Sequence, residues 1–296
     1  MKIMPELPEV ETLRLQLSHL LLGTTIKNIQ VLNPKSFIGE KKLMLNTEVR
    51  RVRRFAKMLI IDFSNNLSLA IHLKMSGQLI YRSKRKESRS KNNRKYKDKL
   101  IANLLNKHTR VMITLGNQDK LFFNDVRKFG WMRIIQNQNN NLRTKIANIK
   151  DLTRNLGPEP LKDLTLEKFR AIIESPKRPI KLILMGQEKI AGVGNIYANE
   201  ALFSAGINPK KKAFELSKNQ AARLLESLNK ILLAAIKWKG ASRQNFCDIF
   251  GQKGEAQEHF LAYDREGEKC PNNCGEKIKR IKLGGRGTFY CPKCQR

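Results

Sequence analysis

The chain has 296 residues, enough for about two domains of ~150 residues each, and its 41% hydrophobic fraction argues against wholesale disorder. Lys and Arg number 58 against 26 Asp and Glu, a net charge of +32 that favours a polyanionic partner, because each phosphate neutralised releases condensed counterions. No apolar run approaches ~18 residues, so no membrane span is expected; Glu6, Glu9 and Glu11 stand where a signal peptide needs an apolar segment, and the expectation is a soluble, intracellular protein.

Taken in chain order, Pro8 followed by Val10, Leu13, Leu17 and Leu20 has helical spacing, with proline near the first turn where its missing N–H is harmless and Gly23 as the stop. Four β-type runs come next: MLIIDF (58–63), LSLAIHL (67–73), RVMITL (110–115), and KLFF (120–123) continuing through WMRII (131–135). Between them, segment 82–99 carries ten Lys and Arg against two acidic residues and reads as a solvated basic loop that adds non-specific affinity for polyanions. The pattern changes around LGPEPLKD (156–163), and helical periodicity dominates from Leu166 to about Trp238. A boundary is therefore placed near residue 150. The predicted class is α+β, an antiparallel sheet domain with one leading helix followed by a helical domain and a short tail.

That tail holds four of the five cysteines, Cys270-Pro-Asn-Asn-Cys274 and Cys291-Pro-Lys-Cys294. Two cysteine pairs on tight turns bring four thiolates to the corners of a tetrahedron, which suits one structural Zn²⁺. The intervening KIKRIKLGGRGTFY reads as a β-hairpin with Arg286 at or near its tip. At the other end, PELPEV raises a separate question. If the chain starts at Met4, loss of that methionine leaves Pro5 with a free secondary amine; if it starts at Met1, Pro5 is locked in an amide and is no nucleophile. The GVGN stretch lacks the third glycine and the preceding strand of a dinucleotide loop; Gly192 and Gly194 read instead as a tight turn before a helix N-terminus.

PELPEVET, RRFAKMLI, HLKMSGQL, NDVRKFG, LGPEP, GVGNIYANEALFSAGINP and RGTFYCPKCQ, in that order, together resemble the Fpg branch of the Fpg/Nei family of DNA glycosylases, from Met4 to Arg296. Leu7 within PELPE points to the Fpg branch, since the Nei branch typically has glycine there. The resemblance implies an N-terminal antiparallel β-sandwich catalytic domain (4–150), a helix–two-turns–helix DNA-binding domain (151–260) and a zinc finger (261–296). It implies excision of oxidised purines, 8-oxoguanine and formamidopyrimidines, followed by β,δ-elimination at the abasic site. Pro5 matches the nucleophilic N-terminal proline, so the working chain is expected to begin at Pro5 with Met1–Met4 absent. A free α-amine, with a pKa of roughly 7.7–8.0 against ~10.4 for lysine, is on the order of a hundred times more available as a neutral nucleophile at pH 7.

By the same resemblance Glu6 is the general acid, and Glu9 a second glutamate near the site. Lys57 and Arg286 contact phosphate and assist elimination, and Asn195 holds a backbone phosphate. Met75, Arg127 and Phe129 match three residues that fill the gap left by a flipped-out base. His108, Lys128 and Lys177 complete the expected DNA contacts, and Cys270, Cys274, Cys291 and Cys294 hold the zinc. The implied partner is double-stranded DNA containing oxidised purines or abasic sites, met by a monomer in the bacterial cytoplasm, associated with the nucleoid and with no membrane.

The sequence departs from the family pattern in places. The first cysteine pair is CxxxC where CxxC is usual; Lys74 replaces a usual glycine; Lys128 replaces an arginine and loses its bidentate fork. Segment 82–99 is longer than the norm, and the recognition loop at about 241–258 diverges too far to read base preference. Two rival functions stay open: a zinc-finger protein that binds damaged DNA without catalysis, and a Nei-like lyase acting on oxidised pyrimidines.

Overall fold

The structure is a computed structural model that describes residues 4–84, 107–137, 146–175, 177–242 and 245–296. Most of the basic segment 82–99, residues 1–3 and part of the recognition loop lie outside the described residues.

Helix α1 (Leu7–Leu21) opens the fold, with Glu6 as N-cap and Pro8 in the first turn. Its Val10, Leu13, Leu17 and Leu21 are fully buried in the core of the N-terminal half, each large side chain contributing ~1.5–3 kcal/mol by leaving water. Nine strands follow: β1 (Ile26–Val31), β2 (Phe37–Ile38), β3 (Val49–Phe55), β4 (Met58–Phe63), β5 (Leu67–His72), β6 (Gly77–Arg82), β7 (Thr109–Leu115), β8 (Lys120–Asp125) and β9 (Trp131–Gln136). They form two sheets, ordered β1-β7-β8-β6 and β2-β9-β5-β4-β3, antiparallel except for the short β2–β9 pair. Inner faces of both sheets and one face of α1 share a single core.

Four of these strands, β1, β2, β3 and β6, have no counterpart in the sequence reading. In β3, VRRVRRF, only Val49 and Val52 are buried, so the strand carries too few apolar residues to show a period. By contrast β4 is buried on both faces, which explains its unbroken apolar run. The outer face of Ile60, Ala70 and Ile135 is covered by Ile149 and Leu152 of α2 (Ile149–Thr153).

The run predicted to continue from 120 to 135 is corrected. It is two strands, β8 and β9, and they belong to different sheets. The loop Asp125–Gly130 between them crosses from one sheet to the other, and so does the Leu73–Ser76 loop between β5 and β6. Glycine at 130 is required by this close crossing, since a Cβ there would lie 2.8 Å from the Phe123 ring.

The C-terminal half packs α3 (Leu166–Glu174), α4 (Ile180–Met185), α5 (Asn195–Ser204) and α6 (Lys218–Lys237) around a second core that extends into the tail. Strands β10 (Lys279–Leu283) and β11 (Arg286–Tyr290) form the predicted hairpin, and Arg286 pairs with Leu283 directly beside its Gly284-Gly285 turn. Ile249 of the segment after α6 is fully buried in the N-terminal core, and its carbonyl accepts from Tyr81 N at 2.7 Å. The two halves are thus stitched by more than the chain that runs on from α2.

Candidate active site and nucleic-acid interface

Two helix N-termini meet at the junction of the halves. Leu7 N, in the first turn of α1, donates to Gly192 O at 3.0 Å. The Glu6 carboxylate accepts from Gly194 N at 2.7 Å and Ile196 N at 2.9 Å, amides at the start of α5 that have no acceptor within the helix. Gly194 has no alternative here, because a Cβ would collide with the Glu6 carboxylate, and Gly192 turns the chain at φ +89°. Glu9 accepts from Glu6 N at 2.8 Å, from the Tyr197 hydroxyl at 2.5 Å and from Ala241 N at 2.7 Å. Both carboxyls are buried.

Burial pushes the Glu6 carboxyl up to about 7, against the opposing pull of Lys57 and its amide donors. Glu9 is raised as well, again chiefly by burial. Lys57 is buried too, its Nζ donating to Val193 O at 2.9 Å. Desolvation lowers its pKa, with Glu6 and Glu9 opposing and the charge of Arg286 adding to the fall. A second buried lysine, Lys181 of α4, escaped the sequence reading. Its Nζ donates to Gly287 O at 2.9 Å and Thr288 Oγ1 at 2.7 Å, and burial lowers its pKa to about 7. The signal was present: IKLILM is a fully apolar helical turn except for this lysine.

Pro5 is buried beside this cluster, with its nitrogen in an amide to Met4 in the chain as described. The turn that presents Lys57 is fixed from the other half. Ala56 sits at φ +50°, and its N–H donates to Glu159 Oε2 at 2.5 Å. Arg54 forks onto the same carboxylate at 2.6 and 2.9 Å and reaches Glu11 at 2.7 Å.

The two sheet-crossing loops lie side by side. Asp125 is buried and laces them together: Ser76 Oγ donates to its Oδ1, Arg127 N to the same oxygen at 3.1 Å and Gly130 N to Oδ2 at 2.7 Å. Arg127 Nη1 lies 2.8 Å from Met75 Sδ, and its guanidinium stacks 4.7 Å from the Phe129 ring centroid. Phe129 is 56% exposed, a large apolar ring with the Arg127 guanidinium over it. Met75, Arg127 and Phe129 are thereby brought together, with exposed Lys128 between the last two.

His72, also missed from sequence, flanks this group. Its Nδ1 accepts from Lys74 N at 3.1 Å, which leaves the hydrogen on Nε2. Burial and the charges of Lys74 and Lys57 hold its pKa down at about 3, so the ring is neutral at physiological pH. His108 contributes its carbonyl, accepting from Asp125 N at 2.9 Å. Asn195 is the first residue of α5, next to the amides that hold Glu6. Lys177 stands apart, exposed before α4.

The four cysteine sulfurs lie within 4.8 Å of one another. Cys270–Cys294 and Cys274–Cys291 are 3.7 and 3.5 Å apart, close to the ~3.8 Å edge of a tetrahedron with ~2.3 Å Zn–S bonds. The extra residue of the CxxxC knuckle is absorbed by Asn273, which is left-handed at φ +51° and donates its N–H to Cys270 O at 3.0 Å. The four thiols fit one zinc ion with no open position, a structural site. The finger is anchored to α5: Asn199 Oδ1 accepts from Phe289 N at 2.8 Å, and Glu200 accepts from the amides of residues 261–263.

Comparison with known proteins places these features in one family. The formamidopyrimidine-DNA glycosylase N-terminal domain matches residues 4–132, its H2TH (helix–two-turns–helix) domain residues 156–246, and the zinc finger found in FPG and IleRS residues 267–296. The formamidopyrimidine-DNA glycosylase of Lactiplantibacillus plantarum is 36% identical over 99% of this chain and 100% of its own length. Among solved structures, a Lactococcus lactis Fpg variant in complex with a Fapy-dG containing DNA superposes with a TM-score of 0.81 at 30% identity, covering 99% of this chain and 100% of that one. Wild-type Lactococcus lactis Fpg with an oxidised-pyrimidine containing DNA gives 0.80 at 30% identity over the same shares.

Proposed function

The chain belongs to the formamidopyrimidine-DNA glycosylase family, and we propose from that premise that it excises oxidised purines from duplex DNA and then cleaves the abasic strand, with the buried group at the start of α1 as its reaction centre. It is a DNA glycosylase of base-excision repair. One observation carries the mechanistic reading: a carboxyl with a pKa of about 7, Glu6, immediately follows Pro5 at a closed junction of the two halves.

With residues 1–4 removed, the Pro5 nitrogen becomes a secondary amine. It attacks C1′ of the damaged nucleoside; the N–C1′ bond forms, the glycosidic bond breaks, and the base leaves carrying the proton that the attacking amine gives up. Glu6, poised to be half protonated near neutrality, supplies a proton to the deoxyribose ring oxygen as the ring opens. The resulting iminium is cationic whatever the pH, an electron sink for loss of the 3′ and then the 5′ phosphate. Lys57 and Arg286 hold those phosphates. Lys181 fixes the carbonyl of Gly287 and so orients the hairpin that presents Arg286.

Met75, Arg127 and Phe129 fill the space the extruded base vacates, while Asn195, Lys128, His108 and Lys177 grip the backbone. His72 adds a neutral N–H donor whose contact is independent of pH above about 3. Zinc, when bound, supplies rigidity and no chemistry, since Cys270, Cys274, Cys291 and Cys294 occupy all four positions. Residues 4–150, 151–260 and 261–296 divide the work into catalytic sandwich, helical DNA clamp and zinc-held hairpin.

All these groups come from one chain, which supports action as a monomer. The charge of +32 supports residence on the bacterial nucleoid, and among the described residues no helix is long and apolar enough to cross a membrane.

Lesion choice is tested by cleavage of matched duplexes carrying 8-oxoguanine, a formamidopyrimidine or thymine glycol. The proposal expects the two oxidised purines to be cut fastest. Thymine glycol is included because a relative was solved with an oxidised-pyrimidine DNA. A preference for it would convert the reading to the Nei-like one, and binding to all three without cleavage would leave only a damage-binding protein.

A further inference from the structure

The two loops that carry Met75 and Arg127 share an oddity of backbone. Lys74 lies at φ +51° and Lys128 at φ +60°, in the left-handed region where a Cβ is disfavoured. At Lys74 the purpose of the turn itself is plain. It aims the Lys74 amide at His72 Nδ1, 3.1 Å away, and the loop closes with Gly77 N on Leu73 O at 2.9 Å. A glycine would make the same turn with less strain, so the backbone does not account for a lysine.

The side chain is half-buried, and among the described residues no carboxylate forms an ion pair with it. Its charge is felt by His72, as is that of Lys57. The charges of Lys57 and Lys74 thus bear on one ring next to the Met75 loop; Lys57 Nζ is taken up by Val193 O, whereas among the described residues the Lys74 ammonium has no hydrogen bond or ion pair. A compact ammonium on a flexible stem suits a phosphate, which it meets without fixed geometry.

We propose that Lys74 is a further DNA-binding residue, its ammonium holding a backbone phosphate next to the Met75 wedge so that the strand is pinned where the gap is filled. This rests on the glycosylase reading of the site.

The test compares wild type with Lys74→Gln, Lys74→Gly and Lys74→Arg. Affinity for a short duplex containing a tetrahydrofuran abasic analogue, and for its undamaged counterpart, is measured across a sodium chloride series, together with thermal unfolding of each protein. The expected result is a plot of log affinity against log salt that is shallower by about 0.9 for Gln and Gly, the loss of one phosphate contact. Arg should restore the wild-type slope, and Gly should unfold at no lower temperature than wild type. Unchanged slopes for Gln and Gly would overturn the proposal. So would a marked loss of thermal stability in the Gly variant, which would mean the lysine is kept for packing. If wild type fails to prefer the abasic duplex, the glycosylase reading falls, and the slopes on either duplex still decide Lys74.

Discussion

Glu6 is held in a state that folding alone would avoid. Its carboxyl is buried, faces a second buried carboxyl at Glu9, and rests on backbone amides instead of an arginine. Burial raises its pKa from an ordinary 4.5 to about 7. Between those two values the folded protein binds the proton that the unfolded chain has released, so stability falls as pH rises through this window. The shift corresponds to about 3 kcal/mol at ~1.36 kcal/mol per unit. Denaturant titrations from pH 4.5 to 8 should therefore show wild type losing up to that amount relative to Glu6→Gln, which has nothing to titrate. The same variant should lose 10²- to 10⁴-fold in excision rate, the usual weight of a general acid, roughly. Parallel pH profiles of stability would show that Glu6 is already ionised at pH 5. At this scale the four cysteines were legible because they stand in short, recognisable strings, and the strings around Pro5, Glu6 and Lys57 pointed to residues that the fold brings to one junction. Lys181 and His72 were not, because their partners, Gly287 and Lys74, come together only through tertiary contact or a left-handed turn.

In the proposed reading, loops and not strands meet the nucleic acid. The loops that carry Met75 and Arg127 are both sheet-to-sheet crossovers, and Asp125 ties them with hydrogen bonds from Ser76, Arg127 and Gly130. The β3–β4 turn is held differently, by a carboxylate from the far half: Glu159 of LGPEP takes Arg54 and the Ala56 amide together. Both partners of that ion pair are nearly sealed from solvent, at 11% and 8% side-chain exposure. Removing Glu159 leaves the Arg54 guanidinium buried with, among the described residues, only Glu11 and the Ala56 carbonyl as partners, and loss of one partner of a buried pair costs about 3–5 kcal/mol. Glu159→Ala should lower unfolding stability by about that amount and slow single-turnover excision, because the turn next to Lys57 loses its anchor. A variant with unchanged stability and rate would show that the turn holds itself. The sequence offered LGPEP as a motif but no reason for its glutamate. Likewise β3 was invisible, since its arginines serve ion pairs and solvent while two valines alone serve the core.

Across the whole molecule, side-chain acceptors, most of them carboxylates, tie the parts together. Glu6 and Glu9 of α1 cap α5 and the Ala241 amide; Glu159 holds the sandwich turn; Glu200 and Asn199 of α5 hold the finger. The architecture of sheet, helices and cysteine tail was readable from periodicity and spacing, because those depend on nearest neighbours along the chain. The assignment of strands to two sheets was not, because it depends on which loop crosses the core. Nor did spacing reveal that the junction gathers two lysines of depressed pKa, Lys57 and Lys181, within the electrostatic reach of Glu6. Each is a conceivable amine nucleophile, and the account chooses Pro5 over both. The most direct check is to reduce the enzyme–DNA intermediate on an 8-oxoguanine duplex with sodium borohydride, digest the product and locate the sugar remnant by mass spectrometry. The remnant is predicted on the nitrogen of Pro5 at the head of a chain beginning PELPEV. Finding it on Lys57 or Lys181, or trapping it with Met4 still attached, would contradict the proposed chemistry.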